Sequence, residues 1–171
     1  SSGQRTNPWM QESSNKVIQQ GEIVAFDTDM VGPYGYCADI SRAFVVGNKF
    51  NEEQKKLYSM AMEQIDFNSR LIKDGVTFQE FTEKSWVLPE EYYPNRYSVM
   101  VHGIGLCDEW PAIRYPTDGG EREGTFQKNM TITIESYIGK VGGKEGVKLE
   151  QQYLIGENGL ELMSHHPLED I

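Results

Sequence analysis

Residues 24–46 read VAFDTDMVGPYGYCADISRAFVV, and their reading decides the fold. Val24–Met30 is a β-prone run, Val31–Gly35 (VGPYG) is rich in turn formers, and Tyr36–Val46 is a second extended run. Pro and Gly between two such runs predict a hairpin. Yet Asp27 and Asp29 stand inside the first strand and Asp39 inside its partner. Acids are disfavoured in strands, and a buried, unpaired carboxylate is strongly destabilising. Asp27 and Asp29, two residues apart, share one face of a strand. With the hairpin centred on Pro33, Asp39 lies directly across from Asp27 and diagonal to Asp29, near enough to share an ion. Like charges so placed repel unless a cation sits among them.

Downstream, Asn51 is placed to cap a helix, with Glu52 and Glu53 in its first turn and Leu57, Met60, Ala61 and Ile65 at helical spacing. It should end near Asp74-Gly75. Thr77-Phe-Gln-Glu resembles a capping box and opens a short helix to Trp86. Leu88–Asn95 reads as loop, Ser98–Leu106 (SVMVHGIGL) as a strand running into glycine, and Pro111–Lys128 as a long polar loop. Met130–Ile138 and Val147–Ile155 alternate with period two about the turn Gly142–Gly146, which predicts an antiparallel pair. Hairpin, helices, strand and hairpin in that order make an α+β chain.

The final pair again carries acids, Glu135 and Glu150, and His102 before a glycine could add an imidazole. Five carboxylates and one histidine form a hard-oxygen donor set suited to Mn(II) or Fe(II), with Zn(II) and Co(II) as alternatives. Spacing alone leaves the bland reading open. A single strand acid more often faces solvent than a metal, and Glu150, flanked by Lys148 and Gln152, also fits an exposed face.

At 171 residues and 38% hydrophobic, the chain can bury one core. Its formal charge of −10 argues against nucleic acid or anionic membranes, which require clustered Lys and Arg. No apolar run approaches the roughly 20 residues of a membrane span, and no signal segment is present, so a cytoplasmic location is expected. Cys37 and Cys107 lack CxxC spacing and are expected to be free thiols. The opening Ser-Ser-Gly-Gln-Arg-Thr-Asn-Pro-Trp has no initiator Met and no clear helix or strand pattern, suggesting that sequence precedes it.

Four separated motifs occur in order: Asp27–Arg42 (DTDMVGPYGYCADISR), His102–Pro111 (HGIGLCDEWP), Glu135 and Lys148-Leu-Glu150. From about Val24 onward the chain resembles the metallopeptidase-like pita-bread family, which includes methionine aminopeptidase, aminopeptidase P, prolidase and creatinase. The resemblance implies a curved antiparallel sheet flanked by helices, cupping two divalent metal ions. It also implies that residues 1–171 are a partial catalytic domain, its N-terminal half and any preceding domain missing. An outer edge on the Asp27 strand that is unpaired, or paired with another chain, would follow.

Two departures from the peptidase pattern narrow the resemblance. Peptidases carry a single aspartate at the position of Thr28, here flanked by Asp27 and Asp29, and a histidine at the position of Asp108. With the preceding Tyr97, these features resemble the dimethylsulfoniopropionate lyases of this fold, which release dimethyl sulfide and acrylate. The resemblance assigns Asp27, Asp29, Asp39, His102, Glu135 and Glu150 as ligands of two ions, iron first, with Mn, Zn and Co as alternatives. It makes Asp108 the general base and places Tyr97 in the pocket as a catalytic and substrate-binding residue. Trp110, Tyr34 and Trp9 are further aromatic candidates for a zwitterionic sulfonium substrate. A homodimer is implied. The competing readings are a dinuclear Xaa-Pro-type aminopeptidase or dipeptidase, a non-catalytic binding protein, and creatinase-like hydrolysis without metal.

Overall fold

The structure, a computed structural model, describes residues 1–47, 49–120 and 122–171. The β-prone opening run forms β1 (Ile23–Asp27) and β2 (Met30–Val31), and the return forms β3 (Cys37–Ala38) and β4 (Ser41–Val45). β1 pairs with β4 and β2 with β3, both antiparallel. The register differs from expectation by one residue on each strand. Asp27 lies opposite Ser41, and Met30 opposite Ala38, so the hairpin turns about Tyr34 rather than Pro33. Tyr34 takes a left-handed conformation (φ 62°) and Gly35 follows it (φ 81°), which moves the reversal one residue on. Asp39 is therefore not across from Asp27.

Helix α1 (Glu52–Ser69) opens on the expected Asn51 cap, and the Asn51 and Gln54 side chains each accept from the other's backbone N–H at 2.9 Å. It stops short of Asp74. Helix α2 (Phe78–Lys84) is capped by Thr77, whose hydroxyl accepts from the Glu80 N–H. The Glu80 carboxylate turns to Lys84 instead of closing a capping box.

The rest is one antiparallel sheet in the order β6-β5-β7-β8-β9. Its strands are β5 (Val99–Gly103), β6 (Ala112–Arg114), β7 (Thr131–Ile138), β8 (Val147–Gly156) and β9 (Gly159–Leu162). β6 interrupts the stretch expected to be a polar loop, because Ala112 and Ile113 are drawn in beside His102 and Val101. One face presents Ile132, Ile134, Ile138, Val147 and Leu149 to α1, all buried with Leu57, Ala61 and Ile65. Each such aliphatic side chain contributes about 1.5–3 kcal/mol by leaving water. Ser136 on that face donates to Gln64 of α1 at 2.6 Å, so its one polar group is satisfied. The opposite face is also buried, but it carries Glu135, Lys148 and Glu150.

The outer edge of β1 is not left bare at its centre. Ser2 bridges Val24, and Ser1 and Ala25 exchange hydrogen bonds of 2.9 Å. The opening residues thus have a structural role that their composition does not signal. Both cysteines are free. Among the described residues, no helix is long and apolar enough to cross a membrane.

Gly103 ties this frame to the loop that follows it. Its N–H donates to the Pro111 carbonyl at 2.9 Å, and a Cβ there would stand 2.2 Å from the Trp110 carbonyl oxygen. Backbone on both sides cannot yield without moving the 104–111 loop. Gly103→Ala should lower stability by about 1–3 kcal/mol, the range for an overpacked interior. Urea denaturation checks this, and an unchanged midpoint would contradict the packing described.

Candidate metal centre

Cross-strand pairing sets the centre. Glu135 and Glu150 are direct partners on β7 and β8, so their side chains stand on the same face, and His102 of β5 joins them through β7. The His102 Nε2 lies 3.1 Å from Glu150 Oε1, 3.6 Å from Asp39 Oδ2 and 3.8 Å from Glu135 Oε1. Its Nδ1 lies 3.0 Å from the Gly103 carbonyl oxygen. Donation to that carbonyl presents Nε2 to the carboxylates. All four side chains are at least 97% buried.

Asp39, His102 and Glu150 each bring one ligand atom within 4.8 Å of the others, and Asp29, Asp39 and Asp108 form a second such group sharing Asp39. Asp39 Oδ1 is enclosed and without a hydrogen-bond partner, as is one oxygen of half-buried Asp108. An orphaned carboxylate oxygen aimed into a set of oxygen and imidazole donors is what a divalent cation would satisfy. The residues therefore fit a metal ion. Asp27 joins from the other side, through Ser41, whose hydroxyl donates to Asp27 and also lies 3.0 Å from Glu150 Oε2.

All six expected ligands thus meet in one connected cluster. Thr28 does not enter it, because its hydroxyl donates to the Ile40 carbonyl at 3.0 Å. The aromatic expectations divide. Tyr97 borders the cluster, whereas Tyr34 is 97% exposed. Trp110 lines a separate, mainly apolar cavity of about 340 Å³ with Tyr36, Leu106 and Phe126, a cavity walled by none of the six ligands. Trp9 lines a cleft of about 290 Å³ that includes Asp27.

The residue that sequence reasoning missed is Lys148. Its ammonium is buried and reaches Asp27 at 2.9 Å, Glu135 at 3.1 Å and Glu150 at 3.2 Å, with Ser41 Oγ at 3.0 Å. It also lies 4.9 Å from the Tyr97 ring centroid and 5.8 Å from that of Trp9. A signal existed: Lys148 shares the strand face of Glu150, and a lysine among so many acids is a counter-ion before it is a surface residue.

Protonation reflects the crowding. Burial, with the charges of Glu150 and Asp27, raises Asp39 to about 9. Burial also raises Glu135 to about 8, against the pull of Lys148. For His102, burial opposes the charged form, but the Glu150 hydrogen bond and the Glu135 charge prevail and raise it to about 9. Burial works against ionised Glu150 too, yet Lys148 and His102 hold it down at about 2. Burial, then the Glu135 charge, keeps the Tyr97 phenol protonated well above its ordinary range. Burial disfavours the Lys148 ammonium, and Glu135, Glu150 and Asp27 more than offset this.

Asp39, Glu135 and His102 have ordinary values of 3.8, 4.5 and 6.5, so each holds its proton more tightly folded than unfolded. Between pH 6.5 and 8 the folded, metal-free chain binds more protons than the unfolded one, and its stability falls as pH rises. Glu150 has the opposite sign, but its contribution changes only as pH falls from 4.5 toward 2, outside that window. The metal-free Tm should therefore drop from pH 6.5 to 8, and saturating Mn(II) should flatten the slope by replacing the protons. Thermal denaturation at several pH values checks this, and a flat metal-free profile would count against it.

Comparison with known proteins agrees with this geometry. The family model of metallopeptidase family M24 matches residues 1–157, so the opening residues fall inside the family's span rather than ahead of it. The chain is 41% identical over 98% of its length to dimethylsulfoniopropionate lyase DddP of Roseovarius nubinhibens, covering 38% of that protein. It is 33% identical over 89% of its length to Xaa-Pro dipeptidase of Pyrococcus furiosus, covering 42% of it. The chain thus spans less than half the length of these curated relatives. Among solved structures, it superposes on the prolidase of Pyrococcus horikoshii with a TM-score of 0.81 at 29% identity, covering 99% of this chain and 48% of that one. The antiparallel sheet and the helices packed on it are those of a pita-bread fold, and the chain belongs to metallopeptidase family M24.

Proposed function

We propose that this chain is the metal-binding part of a lyase that cleaves dimethylsulfoniopropionate to dimethyl sulfide and acrylate. The observation that carries the reading is Asp108. Its carboxylate stands beside Asp29 and Asp39 with one enclosed oxygen unpartnered, where the peptidase pattern has a histidine. Similarity to the lyase of Roseovarius nubinhibens over nearly the whole chain supports it.

The reaction needs a base, a polarised carboxylate and a leaving group. Two divalent ions, iron first and Mn, Zn or Co otherwise, would be held by Asp27, Asp29, Asp39, His102, Glu135 and Glu150. When bound, they supply Lewis acidity toward the substrate carboxylate. Asp108 takes the proton from the carbon α to that carboxylate. The C–H electron pair becomes the α–β double bond, and the β carbon–sulfur pair leaves with neutral dimethyl sulfide. Tyr97, kept protonated, offers a hydroxyl donor at the edge of the site and an aromatic ring toward a cation. One side of that ring already carries Lys148, so the sulfonium has the other side or the Trp9 indole. We place the enzyme in the cytoplasm as a homodimer.

The second reading is an Xaa-Pro dipeptidase, favoured by similarity to the Pyrococcus furiosus enzyme. It lacks a histidine at position 108 to steady the hydrolytic intermediate, and an ionised aspartate cannot donate in its place.

Headspace detection of dimethyl sulfide from the full-length, metal-loaded protein distinguishes the two. Asp108→Asn should keep its metal and lose elimination by about 10²–10⁴-fold, the scale of general-base loss. Asp108→His should not restore it. Near wild-type release from Asp108→Asn would show that Asp108 is not the base, and dipeptide cleavage without sulfonium turnover would favour the peptidase.

A further inference from the structure

We infer that Cys37 and Cys107 are an oxidation site, at which a peroxide closes a disulfide between β3 and the 104–111 loop and thereby displaces Asp108. The bond follows from how the two segments pack. Its effect on turnover rests on the base role proposed above.

Neither cysteine belongs to the carboxylate–histidine cluster, yet the fold brings their segments together. In the β2–β3 ladder the Tyr36 carbonyl accepts from the Gly32 N–H at 2.7 Å, and Ala38 is paired with Met30. Cys37 stands between them and turns its N–H the other way. That N–H donates to the Gly105 carbonyl at 2.7 Å, so the loop runs along the free edge of β3. Further along, Asp39 and Asp108 bring carboxylate oxygens within 4.8 Å of each other. Cys107 therefore lies between two contacts that join its segment to that of Cys37. The loop bends continuously from Gly105 to Glu109, and Cys107 walls the same cavity as Tyr36. Burial first, then the charges of Asp108 and Cys107, raise the Cys37 thiol above its ordinary value, so the two thiols also stand within charge reach.

Cys107 is exposed, its sulfur touching only the Asp108 carbonyl at 3.7 Å, whereas Cys37 is half-buried. Peroxide from solvent therefore meets Cys107 first. The Cys107 thiolate attacks one peroxide oxygen, the O–O bond breaks and water leaves, giving a sulfenic acid. The Cys37 thiolate then attacks that sulfur, the S–O bond breaks and a second water leaves as the disulfide forms. Each thiol gives up one electron, and the peroxide takes both. A disulfide requires Cα atoms about 4.4–6.8 Å apart, so closing it draws Cys107 onto β3. Gly105 (φ 147°) and Glu109 (φ 54°) are the turns on either side, and Asp108 moves with its neighbour. A reacting group displaced by about 1 Å can cost about 10²-fold in rate. In a reducing compartment such a bond is transient and redox-sensing rather than structural.

The test treats reduced, full-length, Mn(II)-loaded protein with hydrogen peroxide, blocks the remaining thiols with iodoacetamide and maps tryptic peptides without reduction. Manganese in place of iron keeps iron–peroxide chemistry out of the result. The expected product links residues 17–42 to residues 97–114, the tryptic peptides that hold the two cysteines, and dithiothreitol separates them. Dimethyl sulfide release should fall at least about 10-fold in step with the link and return with dithiothreitol. Cys107→Ser should form no link and, within a few-fold of the reduced wild type, keep its rate after peroxide. Alkylated, unlinked peptides after peroxide would overturn the inference, as would a Cys107 bond between two copies or a linked wild type with undiminished release. Should Cys107→Ser not fold, the wild-type peptide map and its reversal decide. Reduced enzyme that releases no dimethyl sulfide would instead bring down the lyase reading, and the peptide map would still decide the disulfide.

Discussion

Mutual repulsion of carboxylates in a space closed to water is the constraint on which this structure depends. Two unit charges 4 Å apart interact by about 4 kcal/mol at the effective dielectric of a protein. Six acids around one imidazole, three of them fully buried, could by that scale outweigh the ~5–15 kcal/mol that holds a typical domain folded. The chain answers with three kinds of positive charge. Lys148 neutralises one end, His102 sits in the middle as an imidazolium, and protons on Asp39 and Glu135 cover the remainder. Of these, the last two would yield to a bound cation by giving up a proton. Charge compensation and the fit to a metal ion thus fall on one set of residues.

That solution requires a frame in which no strand can slip. A shift of one residue on β7 or β8 would turn Glu135 and Glu150 into the helix-packed face and bring isoleucines to the site. The apolar face against α1 forbids this. Arg42 adds a second lock: it donates to the Glu150 carbonyl, to Gln151 and to the carbonyls of His166 and Pro167, so β4, β8 and the C-terminal segment are tied at one guanidinium. Its five donors in a rigid fork suit the task in a way that a lysine would not. The arginine of the DISR motif is therefore structural, although it adjoins the site.

Much of this was legible before any coordinates. Period-two alternation gave β7 and β8 with nearly correct ends, the Asn51 cap placed α1, and acids inside the expected strands marked five of the carboxylates that meet in the cluster. What escaped has physical reasons. Centring the hairpin on Pro33 ignored that a non-glycine residue, Tyr34, could take the left-handed corner, and the register moved with it. β6 and β9 are three and four residues long and exist because neighbouring strands offer them partners, which local sequence cannot show. Lys148 beside Gln152 looks like the wet face of a strand. Only the three-dimensional sheet, closed on both sides, turns it into a buried counter-ion.

The division between strand and loop also explains how one family accommodates both peptide hydrolysis and elimination. The six candidate ligands lie on strands or in the short links between them. Asp108 lies on the 104–111 segment after β5, held at its base by Gly103 and the Pro111 carbonyl but free of the sheet's register. Loops tolerate substitution that strands do not. On the proposed reading, a change at position 108 would alter the proton chemistry at the site and leave the residues on the strands untouched. A histidine in that position can donate to a developing oxyanion, whereas a carboxylate can only accept a proton. On that reading the fold is compatible with either residue, and the chemistry would turn on one loop side chain over the same candidate ligands.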